Sequence, residues 1–345
     1  MRLIAGIVVL ALVGALLYGV MGPGPKPDPT PPGGFTTSEQ CKSCHEQVYD
    51  EWQTSWHSQA WIDPDVRALS NDFANVDCID CHAPQDLFIT GMGQRVLPRA
   101  ERRSEGVDCL ACHRLPESMG GGVAGTTDHP TAACRPQIRT ELARVEYCAS
   151  CHNQHNTVDQ WRESRFAKKG ADYKDCRDCH MPLRTGPGAK GRSHVMHGGH
   201  DLELVRSGIR LGAARQGDQG TIRVEVENFG VGHAFPTDER SRAADVFWRV
   251  QPSDPNAQGG WKHLYRIRSP YRSEVDIPRT LIDAGQTLQV DIDDPLAKGP
   301  VEVALFYKLT PYFRDPATGE PMELSQVSDP FQDAQLMFQV EVPAQ

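Results

Sequence analysis

Five times this chain sets two cysteines three positions apart with a histidine directly after the second. The pairs are Cys41 and Cys44 before His45, Cys78 and Cys81 before His82, and Cys109 and Cys112 before His113. Cys148 and Cys151 before His152, and Cys176 and Cys179 before His180, complete the set. C-x-x-C-H is the attachment pattern of haem c. The two intervening residues space the thiols to match two haem vinyl groups, and the histidine falls beneath the iron as its proximal ligand. Zinc is the rival chemistry, but a tetrahedral site takes two Cys pairs and needs no histidine after each; five pairs leave one over. A disulfide framework would not repeat the histidine either. The sequence therefore predicts five covalently bound haem c groups on these ten cysteines, with His45, His82, His113, His152 and His180 as proximal ligands.

Five low-spin haems need five further ligands. Thirteen histidines less five proximal ones leave eight. His57, His129, His194, His200 and His233 are the distal candidates, with His155 and His197 as alternates and His263 as an ordinary strand or surface residue. His57 follows the first motif in an aromatic stretch and is placed beside the first haem. His194, His197 and His200 share a glycine-rich loop, Gly186 to Gly199 and just beyond, so they compete. His155 is too near His152 to reach the same iron and would serve a neighbour. His233 lies in a Gly- and Pro-flanked bend; as a ligand it would pin the C-terminal half onto the haems. Met92, Met119, Met181 and Met196 are minor alternatives that would raise a haem potential. Cys134 is the one cysteine outside the motifs and reads as a small buried side chain.

The elements that position these groups follow from composition. Cys41 to His180 spans 140 residues, 28 for each motif. That is too little chain to bury five macrocycles and also build a conventional core, so the haems must be the core, close together. Glu46 to Ile62 predicts a helix ending at Asp63-Pro64, and Gly120-Gly121-Gly122 opens a flexible loop to about Asp128. Trp52-x-x-Ser55-Trp56-His57 and Trp161-x-x-Ser164-Arg165-Phe166 form a partial internal repeat, with phenylalanine in place of histidine in the second copy.

Beyond Ser207 the pattern changes to period-two apolar runs: Ile222, Val224, Val226; Leu288, Val290, Ile292; Val301, Val303, Leu305; and Met337, Phe338, Val340, Val342. These suit an antiparallel β-sandwich. At the other end, Leu3 to Met21 carries no charge over 19 residues, long enough for a membrane span; a cleaved export signal is the alternative. The expected organisation is an N-terminal transmembrane signal anchor (1–22), a Pro/Gly-rich linker (23–35), a mostly helical and irregular pentahaem domain (36–205) and a β-sandwich-like domain (206–345). The fold class is α+β multidomain. The predicted location is the periplasmic side of the inner membrane, or a secreted periplasmic or extracellular form.

The five motifs, Trp52-x-x-Ser55-x-His57, Cys176-x-x-Cys179-His180-Met181-Pro182, Ser193-His194 and Gly198-Gly199-His200 resemble the multihaem cytochromes related to cytochrome c554. Gly232-His233-Ala234-Phe235-Pro236-Thr237 looks like the segment found where such cytochromes carry a C-terminal β-domain. The resemblance implies electron transfer, mostly bis-histidine haems in stacked and perpendicular pairs, and distal roles for His57, His194 and His200. Phe166 departs from the W-x-x-S-x-H pattern and leaves one haem's ligand open.

Net charge is −9, and haem propionates would add about ten more negative charges, which disfavours nucleic acid as a partner. Redox proteins are the expected partners: a membrane electron donor and a periplasmic or outer-surface acceptor, with oligomer formation left open. An electron carrier without catalysis is the first expectation. The alternatives are an oxidoreductase with one open haem site acting on a small nitrogen or sulfur oxyanion, a quinol dehydrogenase, and a subunit of an extracellular cytochrome filament. No C-x-x-C-K occurs, which counts against the pentahaem nitrite reductases.

Overall fold

The computed structural model describes residues 34–217, 220–237, 242–252, 260–270, 278–309 and 334–344. In the N-terminal half, short helices carry the motifs: α1 Glu39–Gln53, α2 Trp56–Gln59, α3 Pro64–Leu69, α4 Asp77–His82, α5 Leu87–Thr90 and α6 Cys109–His113. After the parallel strand pair β1 Val123–Gly125 and β2 Pro136–Ile138 come α7 Val145–His152, α8 Thr157–Glu163, α9 Cys176–His180 and α10 Leu202–Ser207. Each C-x-x-C-H closes or lies within a helix, because one helical turn puts both cysteines and the histidine on the same side.

Two local expectations are corrected. The helix expected over 46–62 starts earlier, at Glu39, and stops at Gln53. Ser55 is extended there (φ −80°, ψ 156°). Its hydroxyl donates to Trp52 O at 2.6 Å and accepts from Ser58 N–H, replacing backbone bonds with side-chain ones and starting α2 afresh. The stretch from Gly120, expected as a flexible loop, is a built turn leading into β1. A Cβ on Gly122 (φ +76°) would lie 2.6 Å from Arg135 O, so the close approach of the β2 strand requires glycine.

From Ile209 onward the chain forms two antiparallel sheets. One has the order β3-β4-β7, from Ile209–Arg215, Ile222–Asn228 and Thr287–Ile292. The other has the order β6-β5-β8-β9, from Lys262–Arg268, Ala243–Val250, Val301–Lys308 and Gln335–Val342. The apolar runs fall on β4, β7, β8 and β9. β4 alternates buried and part-exposed residues as expected of a half-buried strand. β5 and β8 occupy the middle of the larger sheet and are buried on both faces. Val224 and Val226 from one sheet meet Val246, Trp248, Val303 and Leu305 from the other. Leu305 is completely buried in that layer. Leu305→Ala should therefore cost about 2–5 kcal/mol, read as a lower chemical-denaturation midpoint of the β-domain.

The expected fold class is corrected in one respect. Among the described residues no helix is long and apolar enough to cross a membrane; α1, at 15 residues and with charged positions throughout, falls short of the ~20 apolar residues a span needs. The transmembrane helix is removed from the fold description, and the inner-membrane anchor with it. Residues 1–22, on which both expectations fell, lie outside the described residues.

Candidate functional site

The motif helices are set by local capping. Asp108, directly before Cys109, accepts from Ala111 N–H at 2.6 Å and starts α6. Asp175, directly before Cys176, accepts from Arg177 N–H at 2.8 Å while Asp178 accepts from Asp175 N–H at 2.9 Å, a reciprocal cap for α9. These aspartates were not singled out above, although their place just before a motif cysteine was a usable signal. None of the eleven cysteines is paired in a disulfide.

The imidazoles are prepared as ligands. His82, His113 and His180 donate Nδ1–H to the carbonyls of Ala60 (2.7 Å), Ala124 (2.8 Å) and His197 (2.5 Å). His194 and His233 donate theirs to Arg192 O and Ala234 O, both at 3.0 Å. A carbonyl can only accept, so Nδ1 carries the proton and the lone pair sits on Nε2, the form that binds a metal. Burial disfavours the charged form of several of these imidazoles: it lowers the pKa of His113, and lowers that of His57 to about 3 and those of His233 and His194 to about 4.

Three pairs of rings face each other. His180 and His233 have centroids 6.4 Å apart with planes 14° from parallel. His113 and His194 are 6.3 Å apart at 34°, and His57 and His152 are 5.9 Å apart at 59°. Two imidazoles on one metal, each bonded at about 2 Å, have ring centres roughly 6.3 Å apart, and both ring planes contain the bond axis, so any twist between them is allowed. Spacing fits iron held between two histidines in all three pairs, and in the His113–His194 and His180–His233 pairs the tautomer fits as well. His57 thus faces His152 of the fourth motif.

The remaining candidates lie elsewhere. His200 stacks on Trp56 at 3.6 Å and contacts Arg242 at 3.0 Å. His129 is exposed, with Thr131 Oγ1 3.2 Å from Nδ1. His197 pairs with Asp201 at 2.6 Å. His155 lies within electrostatic range of Cys81 and His152. His263 joins Asp245 at 2.8 Å on the β-domain. Cys134 is half-buried near Cys41 and Cys44, and burial raises its thiol pKa.

The internal repeat is structural. Trp52 Nε1 donates to Val107 O and Trp161 Nε1 to Lys174 O, both at 2.9 Å. Val107 N–H returns to His57 O at 2.8 Å, and Lys174 N–H to Phe166 O at 3.1 Å. In each copy the tryptophan helix is stitched to the segment that leads through an aspartate cap into a later motif, the third in the first copy and the fifth in the second. In the second copy Phe166 packs beneath the β-domain: a Cβ on Gly232 would come within 2.9 Å of Trp161 and 3.5 Å of Phe166. The loop that rests there carries His233 to His180. Where the first copy supplies a histidine that faces the fourth motif, the second, which precedes the fifth motif, buries a phenylalanine under the neighbouring domain.

The motifs themselves abut. Cys41 lies within hydrogen-bonding reach of Cys109, Cys81 of Cys151, and Cys148 of Cys176. Cys112 lies within electrostatic range of Cys148 and Cys151. The attachment points of the first and third, second and fourth, and fourth and fifth motifs are side by side. Residues 192–197 join the set: His194 faces His113, Met196 Sδ contacts His57 Nδ1, and His197 O receives His180 Nδ1–H.

Paired histidines between clustered C-x-x-C-H helices define a multihaem c-type cytochrome with covalently bound haem c. The family of cytochrome c554 and c-prime matches residues 40–114, the stretch holding the first three motifs, and the chain is similar to it there. The crystal structure of a penta-heme cytochrome c552 from Thermochromatium tepidum shares the fold, with a TM-score of 0.60 at 18% identity over 89% of this chain and 98% of that one. A β-glucosidase from Streptomyces venezuelae matches 33% of this chain and 14% of its own at 12% identity and a TM-score of 0.14, too slight to carry an argument. No curated relative matches the chain.

Proposed function

We propose that the protein holds five haem c groups and passes electrons among them outside the cytoplasm, between a membrane electron donor and a periplasmic or extracellular acceptor protein. The observation that carries this is the side-by-side placement of the motif cysteines together with three facing histidine pairs. Haem supplies a one-electron iron couple. The chain supplies two imidazoles at three of the sites, His113 with His194, His152 with His57, and His180 with His233. Each pair would hold a bound haem with two protein ligands, so a one-electron change there would need no ligand exchange and little reorganisation. Backbone carbonyls on Nδ1 of His113, His194, His180 and His233 hold those rings in place and make them stronger donors. Abutting attachment points keep neighbouring groups within contact.

Mass spectrometry of the denatured protein should show five added haems. The ferric protein should give low-spin signals for at least the three paired sites, and those sites should bind no carbon monoxide when reduced. Fewer than five added groups would sink the stoichiometry, and a high-spin signal traced to a paired site would sink the pairing.

A further inference from the structure

His194 reaches His113 from a loop with little regular structure, so something other than secondary structure must fix it. Glu51, near the end of α1, is placed to do this. Its Oε1 accepts from Arg184 Nε at 2.8 Å and from Gln47 Nε2 at 3.2 Å. Its Oε2 accepts from Arg184 Nη2 at 2.5 Å and from the backbone N–H of His194 at 2.8 Å. The side chains of Glu51 and Arg184 are only 17% and 10% exposed. A bidentate, largely shielded pair that also binds a backbone amide differs from a loose surface ion pair of small worth.

The other end of the clamp is equally tied. Arg184 Nη1 donates to Lys190 O at 2.7 Å, and Arg184 N–H to Gly191 O at 3.0 Å, closing the hairpin that delivers His194. Arg192 holds the same hairpin to α9 through Arg177 O, Met181 O and Asp178. The hairpin is therefore bound to the helix of the first motif at one point and to that of the fifth at another, with the His194 imidazole presented between them.

We propose that Glu51 is a positioning residue for the third haem: gripped by Arg184, its carboxylate fixes the His194 backbone so that the imidazole meets the iron opposite His113. This rests on the His113–His194 pairing proposed above, and the test separates the two. Glu51→Ala, Glu51→Gln and His194→Ala are made in the full-length, haem-loaded chain and compared by electron paramagnetic resonance, carbon monoxide uptake and thermal melting. His194→Ala should convert one haem per molecule to a high-spin, carbon monoxide-binding form. Glu51→Ala should open the same haem in part, giving uptake above the parent's and up to one equivalent. Glu51→Gln, which keeps one oxygen acceptor, should fall between Glu51→Ala and the parent, and it decides the matter if the alanine variant fails to fold. If His194→Ala opens a haem while both Glu51 variants keep the parent's spectra and uptake, even with a lowered melting point, Glu51 is not a positioning residue and the pairing stands. If His194→Ala leaves the parent's spectra and uptake unchanged, the pairing itself is wrong.

Discussion

Produced without haem attachment, the chain should yield a folded C-terminal β-domain and an unfolded N-terminal half. Among the described residues the largest cluster of buried apolar side chains runs from Ile209 to Val342 and has eighteen members. The N-terminal half contributes a cluster of three, Phe73, Ile79 and Ala83, with its other buried apolar residues dispersed along the chain. Ordering a residue's backbone costs roughly 1–2 kcal/mol, and that half has no apolar core large enough to offset this. Its helices are mostly four to eight residues long, too short to persist alone. Limited proteolysis of haem-free protein should leave a fragment beginning near residue 200, and circular dichroism should keep the strand signal while losing helix. A protease-resistant fragment covering 36–205 would show that the polypeptide holds itself together there, and would overturn the expectation.

His233→Ala should convert one haem to a high-spin, carbon monoxide-binding form and loosen the β-domain at the same time. His233 is presented by a rigid bend. Asn228 Nδ2 donates to His233 O at 2.8 Å and to Ile282 O at 3.0 Å. Ala234 N–H binds Gln160 at 3.0 Å, and Arg165 binds Phe229 O at 2.8 Å. Those two bonds and the seat on Trp161 and Phe166 remain in the variant, so the domains should stay associated but exchange amide hydrogens faster along 228–237. His233→Met should instead keep six ligands and raise that haem's potential, on the order of 0.1 V within the ~0.8 V that axial ligands span. Carbon monoxide titration and potentiometry read both outcomes. Unchanged spectra in His233→Ala would remove His233 from the iron.

The two experiments bear on how differently the halves of this chain are specified. Period-two apolar residues on β4 and β7 were legible because a half-buried strand must alternate. β5 and β8 are both central and buried on both faces, where burial imposes no alternation; β8 was legible because Val301, Val303 and Leu305 alternate with Glu302 and Ala304, while Ala243-Ala244-Asp245-Val246-Phe247-Trp248 carries no such period. The break in the helix at Ser55 was missed because the apolar pattern continues through it while the hydroxyl diverts the backbone bonds. His57 lies beside the first motif in sequence and faces His152, 95 positions on.

By itself, the sequence determined the attachment chemistry: spacing of Cys, Cys and His within one helical turn is local, and local geometry needs no partner. It also carried the Trp-x-x-Ser repeat, because the serine bonds back to the tryptophan carbonyl only three positions away. Only the tertiary structure decided which histidine faces which, because an axial pair joins residues 53 to 95 positions apart whose meeting depends on how the loops are tied. Glu51, Arg184 and Asn228 do that tying through charges and amides with no sequence period, so they become visible only once the chain is folded.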